Sequence, residues 1–348
     1  MDIALFHTTL PRADRKPGGV EITVHRLANA LVRTGNDVTV YSSTAAPDEH
    51  AYAHERLFPD RPITHRNRLV RLLLLPGLLN GIPFGEHDVL HLHGDDWFFV
   101  SRSTPTVRTF HGSAWEEAQS ANTWARRLEQ YCIYPLERLA DRIATLSAAV
   151  GPNTADIYDT PHLVDNGVDL ARFHPGVKTP FPSVLFVGTW TGRKRGRFLF
   201  ERFVQDVLPD VPDARLYMVA DHCPDHDQVE LVVRPTDEEL AALYRKAWVF
   251  AHPSVYEGFG IPYAEAMASG TAVLCSPNDG ARYVLDDYTF GVVSDDETFG
   301  HNLRRLLRDD AHRRAVAERG LERSKRFSWT EVARQHETLY RQAVESTP

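Results

Sequence analysis

The chain has 348 residues, more than one hydrophobic core usually organises, so two domains are expected. Hydrophobic residues make up 43% and charged residues 25%, which excludes a disordered chain and fits a globular one. A formal net charge of −8 argues against a general nucleic-acid binder, because contacts to a phosphate backbone need a cationic face. Cys132, Cys223 and Cys275 are odd in number and far apart; they read as reduced thiols, not as a CxxC zinc site. The first residues run straight into a strand without a charged leader, and no apolar stretch nears the roughly 20 residues that span a bilayer. The expectation is a cytoplasmic protein.

Asp2 to Phe6 reads as a buried strand, followed by a polar loop and the pair Gly18-Gly19. Ile22, Leu27, Ala28, Ala30 and Leu31 recur at helical spacing and stop near Gly35, and Asp37 to Tyr41 is a second strand. This βαβ opening has no GxGxxG, which counts against a dinucleotide dehydrogenase. Between 61 and 84, four arginines precede and interleave with a dense set of leucines. Such a stretch either rests on an anionic membrane surface or forms a core helix with arginines at its edge, interrupted by Pro76 and Gly77.

Asp88 to Gly94 and Thr106 to Gly112 are strands that both end in His-Gly, placing His93 and His111 at carboxyl ends, where parallel sheets gather ligands. His91 and His93 alternate with leucines, and at least one of them is structural. No carboxylate or cysteine stands at ligand spacing to complete a metal site. A helix from about Trp124 to Leu139 and a strand from Arg142 to Leu146 lead to the turn at Asn166-Gly167. Prolines and Gly176 then mark a linker between Phe173 and Pro182.

Beyond it, Pro182 to Gly188 is a strand and glycine turn, followed by the clustered cations Arg193, Lys194 and Arg195. Cations in that position can neutralise a diphosphate as it leaves. Arg215 to Ala220 and Val229 to Pro235 are strands, and Thr236 to Ala247 is a helix. Next comes the apolar run Trp248 to Pro253 and the segment Tyr256-Glu-Gly-Phe-Gly-Ile-Pro-Tyr-Ala-Glu-Ala-Met-Ala-Ser-Gly270. It has the grammar of a strand, a glycine-rich turn and a helix with Pro262 at its start and Gly270 at its stop. Gly258 and Gly260 permit positive φ and close approach to the backbone, and the helix that follows offers free amides and a positive dipole end. That is a seat for a phosphate. Glu257 and Glu265 frame it as acceptors for neutral hydroxyls, so a nucleotide sugar fits. Strands at 271–276 and 291–294 and a charged helical tail from Asp310 complete the chain.

Glu257 and Glu265, seven residues apart inside EGFGIPYAEAMASG, closely resemble the E-x7-E signature of retaining glycosyltransferases of the family-4 type. The resemblance implies an α/β protein of GT-B fold: two facing Rossmann-like domains with parallel sheets and an inter-domain cleft. It implies an acceptor domain over residues 1–174, a nucleotide-sugar domain over 175–330, and a last helix over 331–348 that crosses back to the first domain. Glu265 would hold the ribose diol and Glu257 the transferred sugar, with Gly258, Phe259 and Gly260 supplying amides to sugar and diphosphate. Gly18 and Gly19 resemble the family's glycine loop, His111 its histidine against the donor sugar, and Asn166 to Asp169 its NGVD segment. Val233 would sit where the base is read. Around Gly188 the chain departs from the pattern: Thr189 occupies the position of an arginine, so which of Arg193, Lys194 and Arg195 meets the donor stays open. The implied activity is metal-independent transfer of a hexose, with no cofactor beyond the nucleotide sugar. UDP-sugars are placed first and GDP-mannose second; the acceptor is a small molecule, a glycan or a lipid-linked sugar, and no nucleic acid is involved. A hydrolysing nucleotide-sugar epimerase and a non-catalytic nucleotide-sugar binder are the other readings.

Overall fold

The computed structural model describes residues 1–12, 18–57, 75–101, 103–121 and 123–347. Short apolar runs become parallel strands, amphipathic segments between them become helices, and two units result: residues 1–167 with 329–348, and residues 168–328. The first unit holds β1 (Asp2–Phe6), β2 (Asp37–Ser42), β3 (Ala53–Arg56), β4 (Val89–Leu92), β5 (Thr106–Phe110), β6 (Leu146–Val150) and β7 (His162–Val164). All pairings are parallel and the order is β3-β2-β1-β4-β5-β6-β7, so the direction of winding reverses between β1 and β4.

Alternation along β1 explains how both faces are covered. Ile3 and Leu5 pack with Val24, Leu27 and Leu31 of the helix Gly19–Arg33 and with Val332, Ala333 and Tyr340 of the helix Trp329–Glu345. Ala4 and Phe6 meet Leu90, Leu92, Phe84 and Phe99 on the other face. A strand buried on both faces needs apolar residues in both registers, and β1 has them.

The second unit holds β8 (Ser183–Val187), β9 (Arg215–Val219), β10 (Val229–Val232), β11 (Val249–His252), β12 (Ala272–Cys275) and β13 (Val292–Val293). Its parallel order β10-β9-β8-β11-β12-β13 reverses between β8 and β11. Val184, Phe186, Val249, Ala251 and Leu274 form one core with Leu199, Phe203, Leu303 and Leu307. The helix Asp237–Lys246 is started by a capping box in which Thr236 Oγ1 accepts the Glu239 amide and the Glu239 carboxylate accepts the Thr236 amide.

Two expectations shift. The strand expected at Arg142 to Leu146 lies further on, because Arg142 and Ile143 finish the helix Trp124–Ile143 and the strand occupies Leu146–Val150. Ala148 and Ala149, fully buried beside β5, are too small to mark a strand by hydrophobicity. The passage between units falls at 167/168, inside the NGVD run and ahead of residue 174. There Gly167 lies against the Trp329 indole, while the Val168 amide donates to Phe327 O at 2.7 Å. Of the stretch 61–84, residues up to 74 lie outside the described residues; Leu75–Leu78, Leu79–Gly81 and Phe84–Glu86 form short helical turns. Among the described residues no helix is long and apolar enough to cross a membrane.

A Cβ placed on Gly167 would stand 2.3 Å from the Trp329 ring. Gly167→Ala should therefore destabilise the first unit by about 1–3 kcal/mol, the usual cost of overpacking. The urea midpoint of the single variant should fall, and that of Gly167→Ala with Trp329→Leu should recover part of the loss; equal midpoints for the single variant and the parent would refute the contact.

Candidate functional site

The chemistry of the second unit gathers where β8 and β11 end, at the reversal of strand order. After β8 the Gly188 amide is committed to Val219 O (2.9 Å), and a Cβ on Gly188 would stand 2.7 Å from the Phe186 ring and 2.9 Å from Lys194 Cβ. Glycine is needed there because the basic loop folds back over it. Gly196 is as constrained: its Cβ would stand 2.9 Å from Thr189 O. The loop turns through Gly192–Lys194 and reverses at Arg195, whose φ of 59° is left-handed. Lys194 is thereby aimed at the loop that follows β11.

Glu257 receives it. Its Oε1 accepts from Lys194 Nζ at 2.6 Å and from His252 Nε2 at 3.0 Å, with Arg193 Nη1 at 3.3 Å. Glu257 is 5% exposed and His252 wholly buried. Burial alone would raise the carboxyl, but the His252 hydrogen bond and the Lys194 charge outweigh it and hold Glu257 well below the usual carboxylate range. Burial lowers His252 to about 4, so it is neutral at pH 7, and because Glu257 is ionised the shared proton lies on His252 Nε2. Removing one partner of such a buried pair costs about 3–5 kcal/mol. Arg193 also donates to Tyr256 O at 2.5 Å, the Val255 amide donates to Arg193 O, and its guanidinium stays 46% exposed.

Gly260 has φ +97° and precedes the helix Ile261–Ala268, which has Pro262 in its first turn and no side-chain cap. Gly258 is different from expectation: its φ is not positive, and a Cβ there would meet nothing nearer than Tyr256 Oη at 3.9 Å. Phe259 is buried against Tyr283 and Phe327, so its side chain packs and only its backbone faces the turn. The turn rests on Gly280, where a Cβ would stand 2.5 Å from Glu257 O. Asn278 Nδ2 donates to Ser254 O and Tyr263 Oη, both at 3.0 Å. Glu265, one turn into the helix, is half-buried; its carboxylate adds to burial in raising the Tyr244 phenol.

The three cations divide. Arg193 and Lys194 serve Glu257, whereas Arg195 makes two bonds to Asp296 (2.8 and 2.6 Å) and stacks on Phe198. Thr189 is exposed and donates to Thr191 O at 2.7 Å. Val233 is 56% exposed just past the edge strand β10.

In the first unit, Gly18 caps the helix Gly19–Arg33, and neither Gly18 nor Gly19 has positive φ. Among the described residues a Cβ on Gly19 would meet nothing within 4 Å. Buried Glu21 holds it, accepting from Thr9 Oγ1 (2.5 Å) and the Gly18 amide (3.1 Å). His111 follows β5, half-buried, its Nε2 2.8 Å from His93 Nδ1. Burial, with nearby His7 and His336, lowers His111 to about 3. Among the described residues no group of three or more His, Cys, Asp or Glu side chains could hold a metal ion.

Sequence reasoning missed His252 and Glu21 as parts of these sites. His252 had a signal: it is the one polar residue in a buried strand and stands at its carboxyl end, as His111 follows β5. Glu21 had the capping-box spacing from Gly18, but glycine at the cap hid it.

The Glycosyltransferase Family 4 model matches residues 17–172, and the Glycosyl transferases group 1 model matches residues 213–323. A phosphatidyl-myo-inositol mannosyltransferase from Mycolicibacterium smegmatis is 27% identical, with 93% of this chain and 90% of the relative covered. A GDP-mannose:cellobiosyl-diphosphopolyprenol alpha-mannosyltransferase from Xanthomonas oryzae pv. oryzae is 28% identical, with 74% of this chain and 75% of the relative covered. Among solved structures, sucrose-phosphate synthase from Thermosynechococcus elongatus superposes with a TM-score of 0.75 at 23% identity, covering 99% of both chains. WaaG, a glycosyltransferase of lipopolysaccharide biosynthesis, gives 0.68 at 18% identity, covering 97% of this chain and 99% of that one. With family models over most of both parallel-sheet domains and GT-B enzymes as structural neighbours, the chain belongs to the glycosyltransferases of the family-4 type.

Proposed function

We propose that this glycosyltransferase moves a mannosyl group from GDP-mannose to a hydroxyl of an inositol-containing or lipid-linked acceptor, with retention of anomeric configuration and without a metal ion. The observation that carries the reading is the buried Glu257 carboxylate, held ionised by Lys194, Arg193 and His252 beside an uncapped helix end. The diphosphate takes the amides at the start of the helix Ile261–Ala268, and Lys194 and Arg193 supply positive charge as it departs. An ionised Glu257 is only an acceptor, suited to sugar hydroxyls that bind harder in the transition state; Glu265 takes the ribose diol. The bond from C1 to the phosphate oxygen breaks, a bond from C1 to the acceptor oxygen forms on the same face, and the acceptor proton passes to the departing phosphate.

UDP-sugars came first on family resemblance, but the relatives named above are mannosyltransferases, one of them named for GDP-mannose, and this moves GDP-mannose ahead. Their names, one a phosphatidyl-myo-inositol enzyme and one acting on a diphosphopolyprenol, support a membrane-borne acceptor and contact with a membrane face. The first unit takes the acceptor.

GDP-mannose at 100 times its Kd should stabilise the protein by about 2.7 kcal/mol, and UDP-glucose by less; a thermal-shift series reads the order. Product analysis should show sugar on the acceptor, and free nucleotide with an altered sugar formed without acceptor would instead identify an epimerase. Lys194→Ala should lower kcat about 10²-fold, the scale of one oxyanion donor. Glu265→Ala should raise the KM for donor, and Glu257→Gln should mainly lower kcat; wild-type kinetics in both Glu variants would sink the assignment. Turnover should persist in excess EDTA, and its abolition with recovery on adding Mg²⁺ or Mn²⁺ would replace the metal-free mechanism.

A further inference from the structure

Four imidazoles of the first unit stand in a column. Ring centroids are 5.3 Å apart from His336 to His91, 3.8 Å from His91 to His93, and 5.1 Å from His93 to His111. His336, His91 and His93 are buried, and His111 reaches the carboxyl end of β5. The hydrogen bonds differ along the column. His336 Nδ1 donates to Val332 O at 2.8 Å. His91 has both nitrogens engaged, Nδ1 with Tyr340 Oη at 2.7 Å and Nε2 with Thr109 Oγ1 at 2.8 Å. It lies against His93 with the rings tilted by 41° and has no nitrogen left to bond to it. His93 Nδ1 meets His111 Nε2 at 2.8 Å, while His93 Nε2 is buried with no hydrogen-bond partner among the described residues.

Burial and the neighbouring imidazoles keep His93 and His111 neutral at pH 7. Two neutral rings sharing one bond have two arrangements. If His111 donates from Nε2, His93 must carry its proton on Nε2, leaving a buried N–H without an acceptor. If His93 donates from Nδ1, its Nε2 is a bare lone pair, and buried orphan N–H groups are the rarer of the two defects. The second arrangement also dictates the state of His111, whose Nε2 now accepts and whose proton must sit on Nδ1.

We propose that His93 is a positioning residue that donates Nδ1–H to His111 Nε2, so that His111 presents Nδ1–H as a hydrogen-bond donor to a ligand oxygen at the carboxyl ends of β4 and β5. His111 Nδ1 has no partner among the described residues, and its half-buried side chain leaves a route for one. In this form His111 donates to an oxygen and cannot take the acceptor's proton at that atom. The role of that donor in transfer rests on the glycosyltransfer reading above; the tautomer itself does not.

The test uses the full chain, labelled with ¹⁵N-histidine, and two-bond ¹H–¹⁵N correlation at pH 7, with signals assigned by His93→Asn and His111→Asn. His111 is expected as the Nδ1–H tautomer. His93→Leu, which removes the donor, should turn it to Nε2–H; His93→Asn, whose amide can donate from nearly the same place, should keep it Nδ1–H. An Nε2–H signal for His111 in the wild-type protein overturns the proposal without any variant, as does an unchanged His111 in folded His93→Leu. In transfer assays His93→Leu should lose about 10- to 100-fold in kcat with donor KM within about threefold, and His93→Asn should recover most of it. If the tautomers follow this pattern while no nucleotide sugar supports transfer, the positioning stands and the transfer reading falls.

Discussion

Everything at the candidate site depends on keeping one carboxylate charged where water hardly reaches it. Desolvation works against Glu257, and the His252 hydrogen bond and the Lys194 charge on its Oε1 outweigh it, with Arg193 paired at 3.3 Å. Those donors come from the strand β11 and from the loop after β8, so the ion cluster ties the two strand ends together as well as setting the charge. The supporting glycines are part of the same arrangement. Gly188 and Gly196 let the basic loop close on Phe186 and Thr189, and Gly280 lets the Glu257 turn settle on the backbone beneath it.

In both units polar side chains gather at the carboxyl ends of parallel strands, at the rim of the sheet, although β4 and β5 also bury His91, Arg108 and Thr109 within their length. In the second unit that position is His252; in the first it is His93 and His111, with Thr8 donating to Asp95 at 2.6 Å between the ends of β1 and β4. Both rims lie where the strand order reverses, where neighbouring loops diverge and leave room for a ligand.

The chemistry this produces is an alternation of fixed acceptors and fixed donors. Glu257 can only accept, Lys194 and Arg193 can only donate, and the amides at the start of the helix Ile261–Ala268 can only donate. A ligand matched to the set has hydroxyls on one side and anionic oxygens on the other, which is the description of a nucleotide sugar. The transfer proposed above asks no side chain here to gain or lose a proton. That agrees with the low range of Glu257 and the neutrality of His252.

Much of this could be read from the chain. Strong periodic apolar runs predicted β1, β2, β5, β8 and β11 close to where they lie, and the glycine and proline spacing around Glu257 announced a turn before a helix. Elements built from small or few apolar residues were not legible: Ala148 and Ala149 form a buried strand through their neighbours and not through their own hydrophobicity. The cations at 193–195 were visible as a cluster but not as individuals. Only the left-handed turn at Arg195 decided that Lys194 meets Glu257 while its neighbour goes to Asp296. His252 and His93 likewise needed partners far away in sequence before their protons could be placed. The sequence by itself determined the parallel α/β architecture and the residue types at the strand ends, since hydrophobic pattern and turn chemistry are local. Which of those residues touch, which proton sits on which atom and which carboxylate stays charged were decided by tertiary structure alone, because burial and hydrogen bonding depend on groups that only folding brings within 3 Å of one another.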